Sequence, residues 1–188
     1  MAKHFEEVTI LFSDFNGFTQ VSERLSPAEL VEELNVYFKA FDAIIEAQGI
    51  EKIKTIGDAY MAAGGVPAGG DDATGRTVCA ALDMQAFVVA RWNERDAQGL
   101  PAFRMRIGIH TGPVVAGIVG TKKFQYDIWG DTVNIASRME SSGEIGTVNV
   151  SEETYVRLRN DSRFAFVPRG QVSAKGKGDL PMYFVRWA

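Results

Sequence analysis

The chain has 188 residues, 46% hydrophobic and 23% charged, and its 20 lysines and arginines against 24 aspartates and glutamates give a formal net charge of −4. These are the proportions of an ordinary soluble globular domain, long enough to bury its own core without disulfides or a structural metal. The acidity argues against a general nucleic-acid binder.

The start, Met1-Ala2-Lys3-His4-Phe5-Glu6-Glu7, lacks the apolar core of a signal peptide, and no apolar stretch approaches the ~20 residues that span a bilayer. No membrane contact by this chain is expected. Val8-Thr9-Ile10-Leu11-Phe12 reads as a short buried strand ending at the polar turn Ser13-Asp14-Phe15-Asn16-Gly17, which leads into a short helix over Phe18 to Leu25. Ser26, Pro27 and Glu29 form an N-cap, a first-turn proline and a capping box. Leu30, Leu34, Tyr37, Phe41 and Ile44 then make the stripe of a core-facing helix that ends at Gln48-Gly49.

Ile50 to Thr55 and Tyr60 to Ala63 read as a hairpin turning through Ile56-Gly57-Asp58-Ala59. A Gly- and Pro-rich loop, Gly64 to Asp72, precedes a long helix from about Ala73 to Asp96, with Val78, Leu82, Phe87 and Val88 inward. The single cysteine, Cys79, lies in its apolar run; it reads as a small buried hydrophobe and fits a reducing, cytoplasmic compartment. Phe103 to His110 alternates as a strand, with Met105, Ile107 and Ile109 on one side and Arg104, Arg106 and Gly108 on the other. Val114 to Val119 is a further strand, and Lys122 to Trp129 a polar-aromatic excursion beyond it. Asp131 reads as the N-cap of a short helix to about Ser141. Val148 to Val150 is a strand, Glu152 to Leu158 a short helix, and strands near Phe164 to Val167 and Met182 to Trp187 close the chain. There is no repeat, linker or low-complexity tract, so residues 1–188 are expected to be one α+β domain: a mixed sheet with helices packed mainly on one face.

Several residues could carry chemistry. Asp14 closes an apolar strand just before Gly17. A carboxylate there can hold Mg²⁺, and Gly17 with the helix start Phe18-Thr19 offers backbone N–H groups to a phosphate. A helix-capping role for Asp14 is the alternative, as a plain turn is for Asp58. If the first strand lies beside the hairpin, the two carboxylates meet at one sheet edge. Two such groups bridging two metals ~4 Å apart suit in-line phosphoryl transfer. Asn134 and Arg138, four apart, project from one helix face, with Val133, Ala136 and Met139 available for the other. An amide that positions a ribose and a guanidinium that meets charge on phosphorus would explain them; a solvated face would too. Lys175-Gly176-Lys177-Gly178 can reach a triphosphate or be an exposed connection. His110 is expected to be structural, His4 a tail residue, and neither has a partner at metal-ligand spacing.

Together these segments resemble the class III adenylyl/guanylyl cyclase catalytic domain from about Val8 to Trp187. The motifs are Phe12-Ser13-Asp14-Phe15-Asn16-Gly17-Phe18-Thr19, Glu51-Lys52-Ile53-Lys54-Thr55-Ile56-Gly57-Asp58, Gln125-Tyr126-Asp127-Ile128-Trp129-Gly130-Asp131-Thr132-Val133-Asn134, Ala136-Ser137-Arg138-Met139-Glu140 and Lys175-Gly176-Lys177-Gly178, in the family's order and at its separations. The resemblance implies a largely antiparallel sheet with the ferredoxin-like, palm-type core of that fold. It implies two divalent ions, Mg²⁺ or Mn²⁺, on Asp14, Asp58 and the Phe15 carbonyl. It places Lys54 and Asp127 at the purine, where guanylyl cyclases carry Glu and usually Cys, so that ATP is the expected substrate. It makes Asn134 and Arg138 the transition-state pair and Lys175 the triphosphate lysine, with Lys122 or Lys123 a further phosphate contact. Asn16 departs from the acidic residue or Arg frequent there. The family's head-to-tail dimer, with sites shared between subunits, implies a homodimer here, because one sequence holds both halves of a site. The rivals are a guanylate cyclase and a catalytically silent nucleotide-binding domain. Gly69-Gly70-Asp71-Asp72 resembles the diguanylate cyclase signature, but it stands in a loop that opens a helix and is read as a turn plus an N-cap.

Overall fold

In a computed structural model describing all of residues 1–188, one eight-stranded sheet organises the chain. Its strands are β1 (Lys3–Asn16), β2 (Glu51–Ile56), β3 (Ala59–Gly64), β4 (Arg104–Val119), β5 (Gln125–Trp129), β6 (Val148–Ser151), β7 (Phe164–Ala174) and β8 (Gly178–Trp187). The helices are α1 (Phe18–Ser22), α2 (Pro27–Gln48), α3 (Ala73–Ala97), α4 (Asp131–Ser141) and α5 (Glu152–Leu158). The sheet order is β2-β3-β1-β4-β6-β8-β7, with β5 pairing β4 off this path. Every pairing is antiparallel except β4 with β6. The α+β expectation therefore holds, as does a mostly antiparallel sheet.

The strands' period of two sorts their side chains onto two unlike faces. Leu11, Phe15, Tyr60, Met105, Ile107, Ile109 and Val150 join Tyr37, Phe41 and Ile45 of α2, Val78 and Val88 of α3 and Leu158 of α5 in the main core. The Ser26–Glu29 capping box starts α2 as expected. The stripe is shifted slightly: Ile45 rather than Ile44 is fully buried, and Glu33 lies buried between α2 and α3 under Arg91 and Arg95. A relay of hydroxyls, Thr74–Thr9–Thr111–Thr154, each link 2.9–3.0 Å, ties α3 and α5 to the sheet centre. Val8, Ile10, Phe12, Met61, Val114 and Ile128 face the other way, where α4 alone covers them through Ala136.

Several local expectations are corrected. His4 and Ser13–Asn16, read as tail and turn, belong to β1. Phe103–His110 and Val114–Val119 are parts of one continuous strand, β4, because Gly112 and Pro113 lie at the irregularity where β1 skips from Phe5 to Val8; a proline without N–H is tolerated at such a bulge. The Lys122–Trp129 excursion contains strand β5, and the last two strands are longer, running through a bulge at Pro168–Gly170 to meet at the Lys175–Lys177 turn. Asp131 is not the cap of α4: Gly130 holds that position at φ 139, a conformation suited to glycine, and Asp131 is the first helical residue. Asp72 precedes α3 in a left-handed conformation and makes no side-chain cap; its carboxylate is bound by Arg163.

Candidate active site

The chemistry-bearing residues gather on and around the α4 face. Continuing the alternation of Ile10 and Phe12, Asp14 faces α4, and its register partner on β4 is Arg106. Pairing of Ser13 with Tyr60 brings the β2–β3 turn alongside. Gly57, at φ 60, closes that turn and delivers Asp58 within hydrogen-bonding reach of Asp14. Burial, then the hydrogen bond and charge of Asp58, push the Asp14 carboxyl up to about 7; Glu140 adds to the shift and Arg106 opposes it. Two adjacent carboxylates that cannot both ionise comfortably form a hard-oxygen site suited to a cation. No third His, Cys, Asp or Glu joins them. That donor set fits Mg²⁺ or Mn²⁺, which keep positions for substrate phosphates, better than an all-protein cage.

A bulge in β2 sets the second pair. Ile53 and Lys54 together oppose Met61, so both lean to the α4 face, whereas Lys52 turns to Asp42 of α2. Lys54 Nζ donates to Asp127 Oδ2 at 2.7 Å, and Asp127 Oδ1 accepts from the Ile128 N–H at 2.8 Å. The Asp127 side chain is only 11% exposed, so the pair is both fixed and sheltered.

Helix α4 approaches the sheet closely because β4 offers glycine beneath it. A Cβ on Gly108 would stand 1.9 Å from the Glu140 N, and one on Gly112 would stand 2.6 Å from Thr132 Oγ1. Thr132 Oγ1 also donates to the Pro113 carbonyl at 2.7 Å. With Ala136 and Met139 buried, Asn134 projects from the exposed side and Arg138 is half-buried. Gly17 (φ 64) opens α1, where Phe18 stacks on Phe103 and Thr19 is exposed. Lys175 is exposed at the tip of the β7–β8 hairpin, and Lys122 is exposed in the β4–β5 connection.

The fold thus joins Asp14 to Asp58 and Lys54 to Asp127, and sets Asn134 and Arg138 on one helix. It does not enclose them: of the five principal clefts of the single chain, none is lined by any of these six residues. Sequence reasoning missed Arg106, which stands opposite Asp14 and donates through Nε to Glu140 Oε1 at 3.2 Å. Alternation had put it on the Gly108 side; its cross-strand neighbour was the missing information.

Residues 1–186 match the family model of the adenylate and guanylate cyclase catalytic domain. The chain belongs to this family. An adenylate cyclase of Mycobacterium tuberculosis is 42% identical over 185 residues, 98% of this chain. A guanylate cyclase soluble subunit beta-2 of Rattus norvegicus is 41% identical over 184 residues, again 98% of this chain. The chain spans 40% of the first relative's length and 26% of the second's. Among solved structures, the guanylate cyclase domain of RhGC from Catenaria anguillulae, in complex with GTP, superposes with TM-score 0.90 at 36% identity over 98% of both chains. The adenylyl cyclase CyaB from P. aeruginosa gives 0.89 at 30% identity, covering 100% of this chain and 97% of its own. The cyclase fold is therefore shared with relatives of both base preferences. No helix is long and apolar enough to cross a membrane.

Proposed function

We propose that this cyclase domain converts ATP into 3′,5′-cyclic AMP and pyrophosphate, in two equivalent sites at the interface of a homodimer. The observation that carries the substrate choice is the sheltered Lys54–Asp127 pair. One donor beside one acceptor matches the adenine edge, with Lys54 facing the ring nitrogen N1 and Asp127 accepting from the exocyclic amino group. Guanine presents the opposite polarity at both positions, an oxygen against the carboxylate and an N–H against the ammonium. A site built to hydrogen-bond one base leaves buried groups unpaired with the other.

The homodimer reading rests on two features. The single chain holds the whole residue set, yet none of its five principal clefts is lined by Asp14, Asp58, Lys54, Asp127, Asn134 or Arg138. Moreover, β4, β5 and their connection expose Val115, Ile118, Val119, Phe124 and Trp129, a run of apolar side chains of the kind that marks an interaction surface. In the proposed assembly Asp14 and Asp58 of one subunit face Lys54, Asp127, Asn134 and Arg138 of the other.

Asp14, Asp58 and the Phe15 carbonyl would hold two divalent ions, Mg²⁺ or Mn²⁺, which acidify the ribose 3′-hydroxyl and neutralise the leaving pyrophosphate. The 3′-oxygen attacks the α-phosphorus in line as the bond to the β-phosphate oxygen breaks. Asn134 orients the ribose, and Arg138 meets the charge that develops on the α-phosphate. The N–H groups of Gly17, Phe18 and Thr19, with Lys175 and Lys122, hold the remaining phosphates. Loss of Arg138 is expected to lower kcat on the order of 10²-fold.

The test is a cyclase assay with ATP and with GTP on wild type, Asp14→Ala, Arg138→Ala and a mixture of the two variants. Each variant alone should be impaired by about 10²-fold or more and the mixture partly restored, because one of the two sites in a mixed dimer keeps all its groups. No recovery counts against shared sites, faster cyclic GMP formation overturns the substrate choice, and no product from dimeric wild type favours a silent nucleotide-binding domain.

A further inference from the structure

Two residues of the shared motifs have no role in the mechanism above: Asp131, in the segment that precedes Asn134, and Lys177, in the hairpin tip. They are 46 residues apart in sequence, and the fold joins them, Lys177 Nζ donating to Asp131 Oδ1. Asp131 is free for this because Gly130 has taken the capping position. Asn134, three residues further along α4, stands one turn away on the same helix face, beside this carboxylate. Lys177 first, and Asn134 after it, hold the Asp131 carboxyl below its usual range.

The Lys177 end is stiff. The Lys177 N–H donates to the Ala174 carbonyl at 2.9 Å across the turn, and Gly176 takes the left-handed φ of 75 that the turn requires. Ala174 in turn is buried with Met139 of α4 and Met182 of β8. Fixing Lys177 therefore also fixes Lys175, two residues away. The plain alternative is a surface ion pair, and exposed pairs of this kind contribute little to stability. On that alternative, removing Asp131 changes neither stability nor catalysis.

We propose that Asp131 is a positioning residue that bridges Lys177 and Asn134, setting the ribose-orienting amide and the triphosphate-binding turn in one fixed relation before the nucleotide arrives. This rests on the roles given to Asn134 and Lys175 above.

The experiment measures kcat and KM for ATP with Mn²⁺, together with thermal unfolding, for Asp131→Ala, Asp131→Asn, Lys177→Met, Asn134→Ala and the double variant Asp131→Ala/Asn134→Ala. The unfolding midpoint of Asp131→Ala should stay within about 2 °C of wild type, while kcat falls about tenfold and KM rises. Asp131→Asn, whose amide oxygen can still accept a hydrogen bond from the Asn134 amide, should recover most of kcat but not KM. Lys177→Met should mainly raise KM. In the Asn134→Ala background, loss of Asp131 should lower kcat no further, since the group it orients is already gone. If Asp131→Ala keeps wild-type kcat and KM while Asn134→Ala is impaired, or if the two losses multiply, the positioning role is overturned and the reading of Asn134 stands. Wild-type kcat in Asn134→Ala overturns both.

Discussion

Gly108 is where the fold can be broken by one methyl group. A Cβ there would stand 1.9 Å from Glu140 N, 2.3 Å from Met139 C and 2.5 Å from Glu140 Cα, against the 3.4 Å at which ordinary contact begins. All three are backbone atoms of α4, so no side chain can swing away, and the helix must rise by more than 1 Å. The displacement would also strain the bond from buried Asn149 Nδ2 to the Met139 carbonyl, now 2.9 Å. Overpacking of this kind costs about 1–3 kcal/mol, and the backbone nature of the clash puts Gly108→Ala at the upper end. In a domain of this size that lowers the unfolding midpoint by about 5–12 °C. Because α4 carries Asn134 and Arg138, a shift of about 1 Å should also lower kcat roughly 10²-fold. Scanning calorimetry and a cyclase assay at saturating ATP measure both, with Gly69→Ala as the control, since nothing lies within 4 Å of a Cβ there. A Gly108→Ala protein that unfolds within 1 °C of wild type and keeps kcat within twofold would refute the close seating of α4 on β4.

Two further predictions concern the helix-covered side. Glu33, 4% exposed, accepts from Arg91 Nε (2.9 Å) and Nη2 (2.8 Å) and from Arg95 Nη1 (3.0 Å). Glu33→Ala leaves two guanidinium groups without their carboxylate and should lower stability by about 2–4 kcal/mol in urea unfolding, less than for a fully buried pair because both arginines keep some solvent contact; a loss below 1 kcal/mol would refute it. Burial pulls the His110 imidazole, hydrogen-bonded to Ser151 at 2.7 Å, below the usual histidine range. As pH falls below about 6.5, the unfolded chain takes up a proton that folded His110 refuses, so stability should fall by at most about 1.4 kcal/mol per pH unit from this group. Urea unfolding between pH 5 and 7 should show a shallower slope for His110→Asn, and an unchanged slope would sink the assignment.

Most of the fold was legible because its signals are local. The capping box at Ser26, the helical stripe through Tyr37 and Phe41, and the alternation of Met105, Ile107 and Ile109 each follow from residues within a few positions of one another. The misses occur where a distant segment decides. Gly112-Pro113 and Pro168-Arg169-Gly170 look like strand ends, yet each lies at a bulge that the neighbouring strand absorbs. Asp131 has the chemistry of a cap, yet Gly130 takes that position and Asp131 binds a lysine 46 residues on. The site follows the same rule. The proximity of Asp14 to Asp58 depended on a strand pairing that the turn residues could suggest, whereas Arg106 and Glu140 needed the register of β1 on β4 and the seat of α4.

The two faces of the sheet divide the molecule's tasks, and the electrostatics show which face serves the fold. On the helix-covered face, charge is neutralised at once, as Glu33 is by its two arginines. On the α4 face, the Asp14 carboxyl is pushed up to about 7, so between its ordinary range and that value the folded chain holds a proton that the unfolded chain releases, and stability falls as pH rises. A local arrangement that opposes folding at neutral pH is the kind expected of a site rather than a scaffold. Lys54 and Asp127 sharpen the point differently, since each already satisfies the other. In the proposed purine site, a base must replace a complete ion pair with two hydrogen bonds of the right polarity. Adenine can do so, whereas guanine would set its oxygen against the carboxylate and its N–H against the ammonium. On the proposed reading, the cost of opening the pair is common to both purines, and discrimination would come from guanine's failure to replace it with two hydrogen bonds of the right polarity.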